Sequence, residues 1–324
     1  MNRPIRVWMA FLGVLLLGAP AGAQWMDSFD TYSTGTLTTQ SSWELWDLTP
    51  GVDCDVTTAG AFTPANGVRV DNADDVIYDF VNEPGGRPSS GTWIFSIKTY
   101  VPASASGTGF VIMLNEYTHN GPKNWSRQFR FDANAGTVKV DGQGGGATAN
   151  IKWDEWVTLM ACINLDDDVV DVYYGASNLL KDGSWKDGQS GGGSSVIAVL
   201  DLYGGGGNGI DEFYLDNPRL DPAGGKCLSL SSSPNPISAG QNLRLISVGR
   251  AIPNGSLGAI MSWTVDDALF IKALLFPFYG FGNRFTVNAT IPPGLSGLRV
   301  GLKSLAAPGS GGLQLSNEDV IVFN

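Results

Sequence analysis

Alternation of apolar and polar residues with a period of two is the feature that most constrains the fold of this 324-residue chain. In residues 93–100, Phe95 and Ile97 share one face of an extended strand. Ser96 and Lys98 share the other face. Clusters of Gly, Asn, Asp and Ser separate such segments, and the 43 glycines and the charged fraction of 16% agree with a chain of short strands and turns. The sequence therefore predicts an all-β protein.

The same alternation places the individual strands. A turn over residues 164–168 joins two of them into a predicted hairpin. The predicted strands are residues 67–70, 76–80, 93–101, 110–117, 126–132, 137–141, 156–165, 169–174, 196–203, 210–215, 243–248, 259–265, 284–289, 298–304 and 319–323.

A change in composition divides the chain. Residues 217–225 contain Pro218, Pro222 and two glycines and interrupt the strand pattern. Beyond them the chain is richer in Leu, Ile and Pro and poorer in Asp and Trp. The sequence predicts a first domain over residues 24–222 and a second over residues 223–324. About 100 residues is a typical size for a small β-sandwich.

The first 23 residues have the layout of a secretory signal peptide. Arg3 and Arg6 precede an apolar run over residues 7–17, and Ala21 and Ala23 fit the small-residue pattern of a cleavage site. A membrane-spanning helix needs about 20 apolar residues, and this run is shorter. We expect a mature chain that begins near Gln24 and is secreted, periplasmic or held in the cell envelope, with no membrane span after cleavage.

The formal net charge of -11 narrows the possible partners. Nucleic acids and anionic membranes attract proteins through Lys and Arg side chains, and an acidic surface repels them. The sequence therefore predicts no nucleic-acid partner.

Three cysteines allow one disulfide and one free thiol. Cys162 lies in an apolar strand and is predicted to be a small buried hydrophobe, and the pairing of the cysteines is left open. The chain has no Cys-x-x-Cys pair, so neither a zinc site nor a redox site is predicted.

Several short motifs together match a known superfamily. They are Asp27-Ser28-Phe29-Asp30-Thr31-Tyr32, Trp43, Tyr100-Val101-Pro102, Trp156-Val157-Thr158-Leu159, Asn164-Leu165-Asp166, Val172-Tyr173-Tyr174 and Ile210-Asp211-Glu212-Phe213-Tyr214-Leu215-Asp216. Residues 27–220 thereby resemble a bacterial concanavalin A-like (laminin G-like) jelly roll of the lectin and glucanase superfamily. The resemblance implies a β-sandwich whose first and last strands pair. The C-terminal part resembles a β-domain of exported planctomycete-type proteins, including Leu315-Ser316-Asn317.

Two catalytic motifs occur without the secondary structure that they require, and a third is absent from the sequence. Residues 204–209 satisfy G-x-G-x-x-G, but a strand follows where a dinucleotide site needs a helix. Residues 188–192 satisfy G-x-S-x-G within a polar Gly/Ser run, and the chain has one histidine, His119. The Glu-x-Asp-x-x-Glu pattern of glucanases with the resembled fold is not present in the sequence. No catalytic residues are predicted.

The segment over residues 115–130 is the predicted ligand-binding site. If Phe129 and Phe131 point into the core, Gln128 and Arg130 lie on the outer sheet surface. Aromatic rings can stack on the C–H faces of sugars while amides and guanidinium groups bond the hydroxyls. An ordinary polar sheet face is the alternative. The predicted ligand-binding residues are Asn115, Tyr117, His119, Trp125, Gln128 and Arg130.

A structural calcium ion is a further expectation from the resemblance. Jelly rolls of this type often hold calcium near their paired termini, and calcium needs several oxygen ligands. No EF-hand loop is present in the sequence. The predicted ligands are Asp27, Asp30, Asp211 and Asp216.

The leading hypothesis is an exported, non-catalytic protein that binds a polysaccharide or surface glycan through the jelly roll. One alternative is a glycoside hydrolase or polysaccharide lyase on the same fold, using His119, Tyr117, Arg130 and Glu116. The other is a structural or adhesive envelope protein without a small ligand. Its C-terminal part would attach to the surface, and deleting it would leave the jelly roll folded.

Overall fold

A computed structural model describes residues 25–50, 53–62, 65–223, 227–249, 257–265, 268–275, 284–307, 314–316 and 319–324. The predicted signal peptide, residues 1–23, lies outside the described residues. Within these ranges the chain forms no helix of the length and apolar character needed to cross a membrane.

The first part of the chain consists of strands joined by turns. Short 3-10 turns occur at Trp46–Leu48, Phe80–Asn82 and Gly206–Asn208. The strands are β1 (Trp25–Met26), β2 (Gly35–Thr36), β3 (Glu44–Leu45), β4 (Asp55–Thr57), β5 (Gly67–Val70), β6 (Asp75–Asp79), β7 (Thr92–Tyr100), β8 (Thr108–Tyr117), β9 (Lys123–Asp132), β10 (Thr137–Asp141), β11 (Ala149–Asn150), β12 (Val157–Asn164), β13 (Val169–Tyr174), β14 (Ser177–Gly183), β15 (Val199–Tyr203) and β16 (Phe213–Ala223).

These strands form two antiparallel sheets packed as a jelly-roll sandwich. The larger sheet has the order β14-β13-β12-β7-β16-β5-β4-β2, with β1 paired to β16. The seven-stranded sheet has the order β11-β10-β9-β8-β15-β6-β3. The first and last strands pair at Trp25 and Leu220, as the resemblance implies. The inward faces of both sheets form one core, to which β7 contributes Phe95 and Ile97 and β9 contributes Phe129 and Phe131.

A second, smaller β-sandwich follows, and it has a core of its own. Its sheets have the orders β17-β18-β21 and β20-β19-β22-β23, with β24 paired to β22. The predicted all-β class, with a jelly-roll sandwich followed by a smaller one, is confirmed. The strands are β17 (Leu228–Ser233), β18 (Asn242–Gly249), β19 (Leu257–Val265), β20 (Ala268–Leu275), β21 (Arg284–Thr290), β22 (Arg299–Ala307), β23 (Gln314–Leu315) and β24 (Asp319–Val322).

Strand β16 is longer than the sequence predicted. The prediction placed a strand at 210–215 and a break at 217–225, whereas the strand runs from Phe213 to Ala223. A bulge between Asp216 and Arg219, with Asn217 at φ 48°, absorbs the irregular residues, and pairing with β7 then resumes. The strand ends at Ala223, one residue beyond the end of the predicted first domain.

A disulfide joins the two sandwiches. Cys162 on β12 is bonded to Cys227, with the Cα atoms 5.9 Å apart. Cys162 is buried, as the sequence predicted, but it forms a disulfide and is not a simple hydrophobic side chain. Neighbours at odd positions of β12 point into the main core, so Cys162 faces the opposite way, against the second sandwich. Cys54 is free and buried.

A buried ion pair also links the two sandwiches. Lys98 Nζ of β7 lies 2.7 Å from Asp319 Oδ1 of β24, and the side chains are 6% and 1% exposed. The same Nζ donates to Thr158 Oγ1 at 3.0 Å and lies 4.5 Å from the centre of the Phe62 ring. Both faces of β7 are consequently buried, one by the jelly-roll core and the other by the second sandwich.

Candidate functional site

The candidate site lies on the outer face of the seven-stranded sheet. A line of four directly paired residues crosses strands β9, β8, β15 and β6 there. Neighbouring strands are about 4.8 Å apart, so three strand spacings give the line a length of roughly 14 Å. Each of the four side chains is half-buried and accessible to solvent. We call this set the cross-strand row, which consists of Arg130, Phe110, Tyr203 and Asp75.

Two aromatic rings form the centre of the cross-strand row. The rings of Phe110 and Tyr203 stack with their centroids 5.8 Å apart and their planes inclined by 19°. A charged or polar group flanks them at each end, Arg130 on β9 and Asp75 on β6. The row therefore offers an apolar platform between two polar ends.

A cavity opens at each end of the row. The loop with the Gly206–Asn208 turn borders both cavities. The polar cavity, of about 760 Å³, is lined by Ser106, Gly107, Thr108, Arg130, Asp132, Asn134, Ala135, Asn208 and Gly209. The aromatic cavity, of about 230 Å³, is lined by Trp46, Thr49, Ala73, Asp75, Tyr203 and Gly206.

Trp46 forms a wall of the aromatic cavity and sits in a strained turn. Asp47 and Leu48 have positive φ angles of 50° and 58°, a left-handed conformation that costs roughly 1–3 kcal/mol per residue outside glycine. The Trp46 ring lies 5.9 Å from Trp125 and 5.0 Å from Tyr117, centre to centre. Surrounding contacts must hold this turn, because such strain persists only where the neighbours over-determine it.

Asp47 provides those contacts. Its carboxylate accepts hydrogen bonds from the backbone N–H of Asn120 and from Lys123 Nζ, both at 2.7 Å. Its own N–H donates to the Tyr117 hydroxyl at 3.0 Å. These interactions lower the pKa of the Asp47 carboxyl despite its partial desolvation. The turn that presents Trp46 is thus anchored to both arms of the β8–β9 hairpin.

Tyr117 and His119 belong to this support. The Tyr117 hydroxyl lies 3.0 Å from His119 Nδ1, and His119 Nε2 lies 2.7 Å from Glu44 Oε2. The Tyr117 side chain is 2% exposed and packs beneath Trp46. Both were predicted as ligand contacts. Tyr117 is buried beneath Trp46, whereas the His119 side chain is 30% exposed, and both support the Trp46 turn.

Asn115 is also placed away from the outer surface. It is 1% exposed, and its amide donates to the Trp185 carbonyl at 3.2 Å beneath residues 185–194. The alternation used to predict its position fails because β8 has register shifts between Met113 and Glu116. A side chain buried in this way cannot contact a ligand at the surface, so the prediction for Asn115 is corrected.

The other predicted residues lie at the surface. Phe129 and Phe131 are buried in the core, and Gln128 and Arg130 lie half-buried on the outer face. Arg130 donates to Asp132 at 3.0 Å. Trp125 is half-buried, with its ring stacked on Trp46. The structure therefore brings three of the six predicted residues to the same face as the cross-strand row.

A carboxyl pair that sequence reasoning missed lies beside the row. Asp201 of β15 is 3% exposed and lies two residues from Tyr203 on the same sheet face, next to Asp75, which lines the aromatic cavity. Among the described residues, neither acid forms an ion pair with Lys, Arg or His. Burial raises the pKa of Asp75 to about 7 and that of Asp201 well above its usual value. Burial therefore favours the protonated form of these carboxyl groups near neutral pH.

Asp201→Asn is expected to flatten the pH dependence of stability. The folded-state pKa values of the two carboxyl groups are raised. Their contribution to the free energy of unfolding is therefore fully present below the unfolded-state pKa of about 3.9 and is lost as pH rises through about 7. Chemical denaturation from acid to neutral pH should show wild-type stability falling relative to the variant over that window. A constant difference between the two proteins would contradict the raised pKa values of the two carboxyl groups.

The predicted calcium ligands are not gathered. Across the described ranges, no group of three or more His, Cys, Asp or Glu side chains is arranged to hold a metal ion. The four aspartates have separate local partners. Asp27 accepts from Tyr32 and Trp43, Asp30 from the Asn66 N–H, Asp211 from Ser106, and Asp216 from the Phe62 N–H.

Comparison with known proteins gives fold similarities. No protein-family model matches the chain, and no curated protein matches it. A sialidase aligns with 62% of this chain at 13% identity and a TM-score of 0.41, and this chain covers 18% of its length. The catalytic domain of a glycoside hydrolase family 131 protein from Coprinopsis cinerea aligns at 10% identity and a TM-score of 0.39, and the alignment covers 60% of this chain and 92% of that one. Lectin UEA-II complexed with galactose aligns at 13% identity and a TM-score of 0.32, and the alignment covers 60% of this chain and 99% of the lectin.

Proposed function

We propose that the protein is an exported, non-catalytic binding protein that holds a glycan chain against the cross-strand row. The observation that supports this most is the stacked Phe110–Tyr203 platform, with a polar cavity at one end and an aromatic cavity at the other. The aromatic rings match the C–H faces of sugar rings, and the planar polar side chains match their hydroxyls.

The dimensions favour a chain over a single sugar. The row is roughly 14 Å long by strand spacing, and the cavities extend it at both ends. Gln128 lies beside the row, on the same strand as Arg130, and can bond hydroxyls along the same path. A glycan segment lying across the strands would therefore contact several of these side chains at once.

The carboxyl geometry favours binding over hydrolysis. Glycosidases use two carboxyl groups about 5 Å or 6.5–9.5 Å apart, one on each side of the bond that breaks. Asp75 and Asp201 instead lie on neighbouring strands, and Asp201 is buried and lines neither cavity. Glu116, named for the enzyme alternative, is exposed on the bulged end of β8, away from the cavities.

Trp46→Ala is expected to lower glycan affinity by about 30-fold or more. Trp46 lines the aromatic cavity, and an aromatic anchor that a ligand buries is typically worth at least 2 kcal/mol. A glycan array would identify the ligand class, and titration calorimetry would measure the affinity ratio. Trp93→Ala is the matched control, because Trp93 is also half-buried but lies on the larger sheet.

Three results would contradict the proposed function. They are failure of the wild type to bind any glycan, equal affinities for wild type and Trp46→Ala, and equal losses for Trp46→Ala and Trp93→Ala. Release of reducing or unsaturated ends from a polysaccharide panel would favour an enzyme instead.

A further inference from the structure

The aromatic cavity combines features that a neutral sugar does not require. Trp46 and Tyr203 form aromatic walls, and Asp75 adds a carboxyl group to the lining. Its volume of about 230 Å³ equals that of roughly seven or eight water molecules, enough for one ring-sized group. The cavity therefore offers π faces and an acid to a single bound unit.

Some acidic side chains around the cavity have a basic partner and others do not. Glu44 lies 2.7 Å from His119, and Asp47 lies 2.7 Å from Lys123. Asp75 and the neighbouring buried Asp201 form no such ion pair among the described residues, and one carboxyl oxygen of each, Oδ1, is buried without a hydrogen-bond partner. A cation in the cavity would supply the missing positive charge and would allow the pair to ionise.

The lining discriminates between kinds of cation. A calcium ion needs six to eight oxygen ligands, and an aromatic wall provides none. An organic ammonium group, in contrast, is attracted to the faces of Trp and Tyr and forms a charge-assisted hydrogen bond with a carboxylate. A sugar ring bearing an ammonium group presents both its C–H face and its charge to such a cavity.

We propose that the aromatic cavity is a subsite for a protonated amino sugar, so that the glycan bound along the cross-strand row contains free amino groups. This inference rests on the proposed function and adds the ligand class. Asp75 contacts the ammonium group, Asp201 lies beside Asp75 on the same sheet face, and Trp46 and Tyr203 form the aromatic walls around the ring.

The test compares oligosaccharides of equal length that differ at one substituent. Chitosan oligosaccharides have free amines, chitin oligosaccharides have N-acetyl groups, and cello-oligosaccharides have hydroxyls at the same position. Calorimetric titration is carried out at a pH where the free amines are protonated. We expect the wild type to bind the amine series at least 10-fold more tightly than the acetylated and hydroxyl series.

Asp75→Asn should reduce that affinity ratio to near one. The control is Asp141→Asn, because Asp141 lies on the same sheet face, on β10, where it pairs with Lys139 at 3.0 Å. Asp141→Asn should retain the preference. Loss of the preference in the control would show non-specific attraction to an acidic protein and would overturn the proposal. Thermal unfolding verifies that each variant is folded, and Tyr203→Leu, which keeps the acid, should lower the ratio if Asp75→Asn does not fold.

The failures of the two proposals are distinguishable. Binding of all three series with similar affinities overturns the amine subsite and leaves glycan binding in place. Binding of none of the three, together with a silent glycan array, overturns both. A preference for amines that persists in folded Asp75→Asn overturns the assignment to this cavity.

Discussion

Asp319→Ala is expected to lower the free energy of unfolding by about 3–5 kcal/mol, because it leaves the Lys98 ammonium buried without its partner. Lys98 is 5% exposed between the two sandwiches, where its ammonium also donates to Thr158 and lies over the Phe62 ring. Thr158 and Phe62 are uncharged, so the variant loses the carboxylate that is bonded to the ammonium. Denaturant unfolding at neutral pH measures the loss.

A double variant separates the effect of charge from that of packing. The double variant Lys98→Met/Asp319→Leu removes both charges at similar volume, and replacement of a buried pair by apolar residues is often neutral or stabilising. It should therefore be more stable than Asp319→Ala. If Asp319→Ala lowered the free energy of unfolding by less than about 1 kcal/mol, the Lys98–Asp319 pair would behave like an exposed ion pair, which would contradict the buried interface.

Cys227→Ser is expected to lower the free energy of unfolding by about 4 kcal/mol. The disulfide to Cys162 closes a loop with a sequence separation of 65 residues, and the chain-entropy relation gives that amount for a loop of this length. The bond also holds the start of the second sandwich against Ile94 and Met160 of the larger sheet. Its loss should affect the contact between the sandwiches first.

The free cysteine provides the matched control. Cys54→Ser should show no added sensitivity to a reducing agent, because Cys54 forms no disulfide. Wild type and Cys54→Ser should each lose stability when reduced, whereas Cys227→Ser should not change. If reduction left the wild type unaffected, the disulfide would have no role in stability.

These two contacts bear on the structural or adhesive hypothesis. That hypothesis expects the jelly roll to stay folded after deletion of the second sandwich. Deletion would uncover Ser96 and Lys98 of β7 and remove the partners of Lys98 and Cys162. The second sandwich is therefore a covering layer for one face of the larger sheet as well as a separate unit.

Most strands were predictable because period-two alternation is local. The predictions 67–70, 137–141 and 169–174 coincide with β5, β10 and β13. The missed strands include β1, β2 and β3, which have two residues each and contain no full period. Their pairing depends on neighbours far along the chain.

The site was less predictable. Gln128 and Arg130 were found because Phe129 and Phe131 mark the opposite face. Trp46, Asp75, Phe110 and Tyr203 were missed, since they come from four separated segments. One local signal was available, namely an aspartate at 201 between Leu200 and Leu202, because an acid within an apolar strand needs a special environment.

The sequence by itself determined the all-β class, most strand positions and, where a strand has no bulge, the side of the strand on which a residue lies. Only the tertiary structure decided which strands are neighbours and which faces are covered. It placed Tyr203 beside Phe110, buried Lys98 against Asp319, and turned Cys162 toward Cys227. The physical reason is that alternation is a property of one strand, whereas cross-strand pairing and burial depend on contacts between residues far apart in sequence.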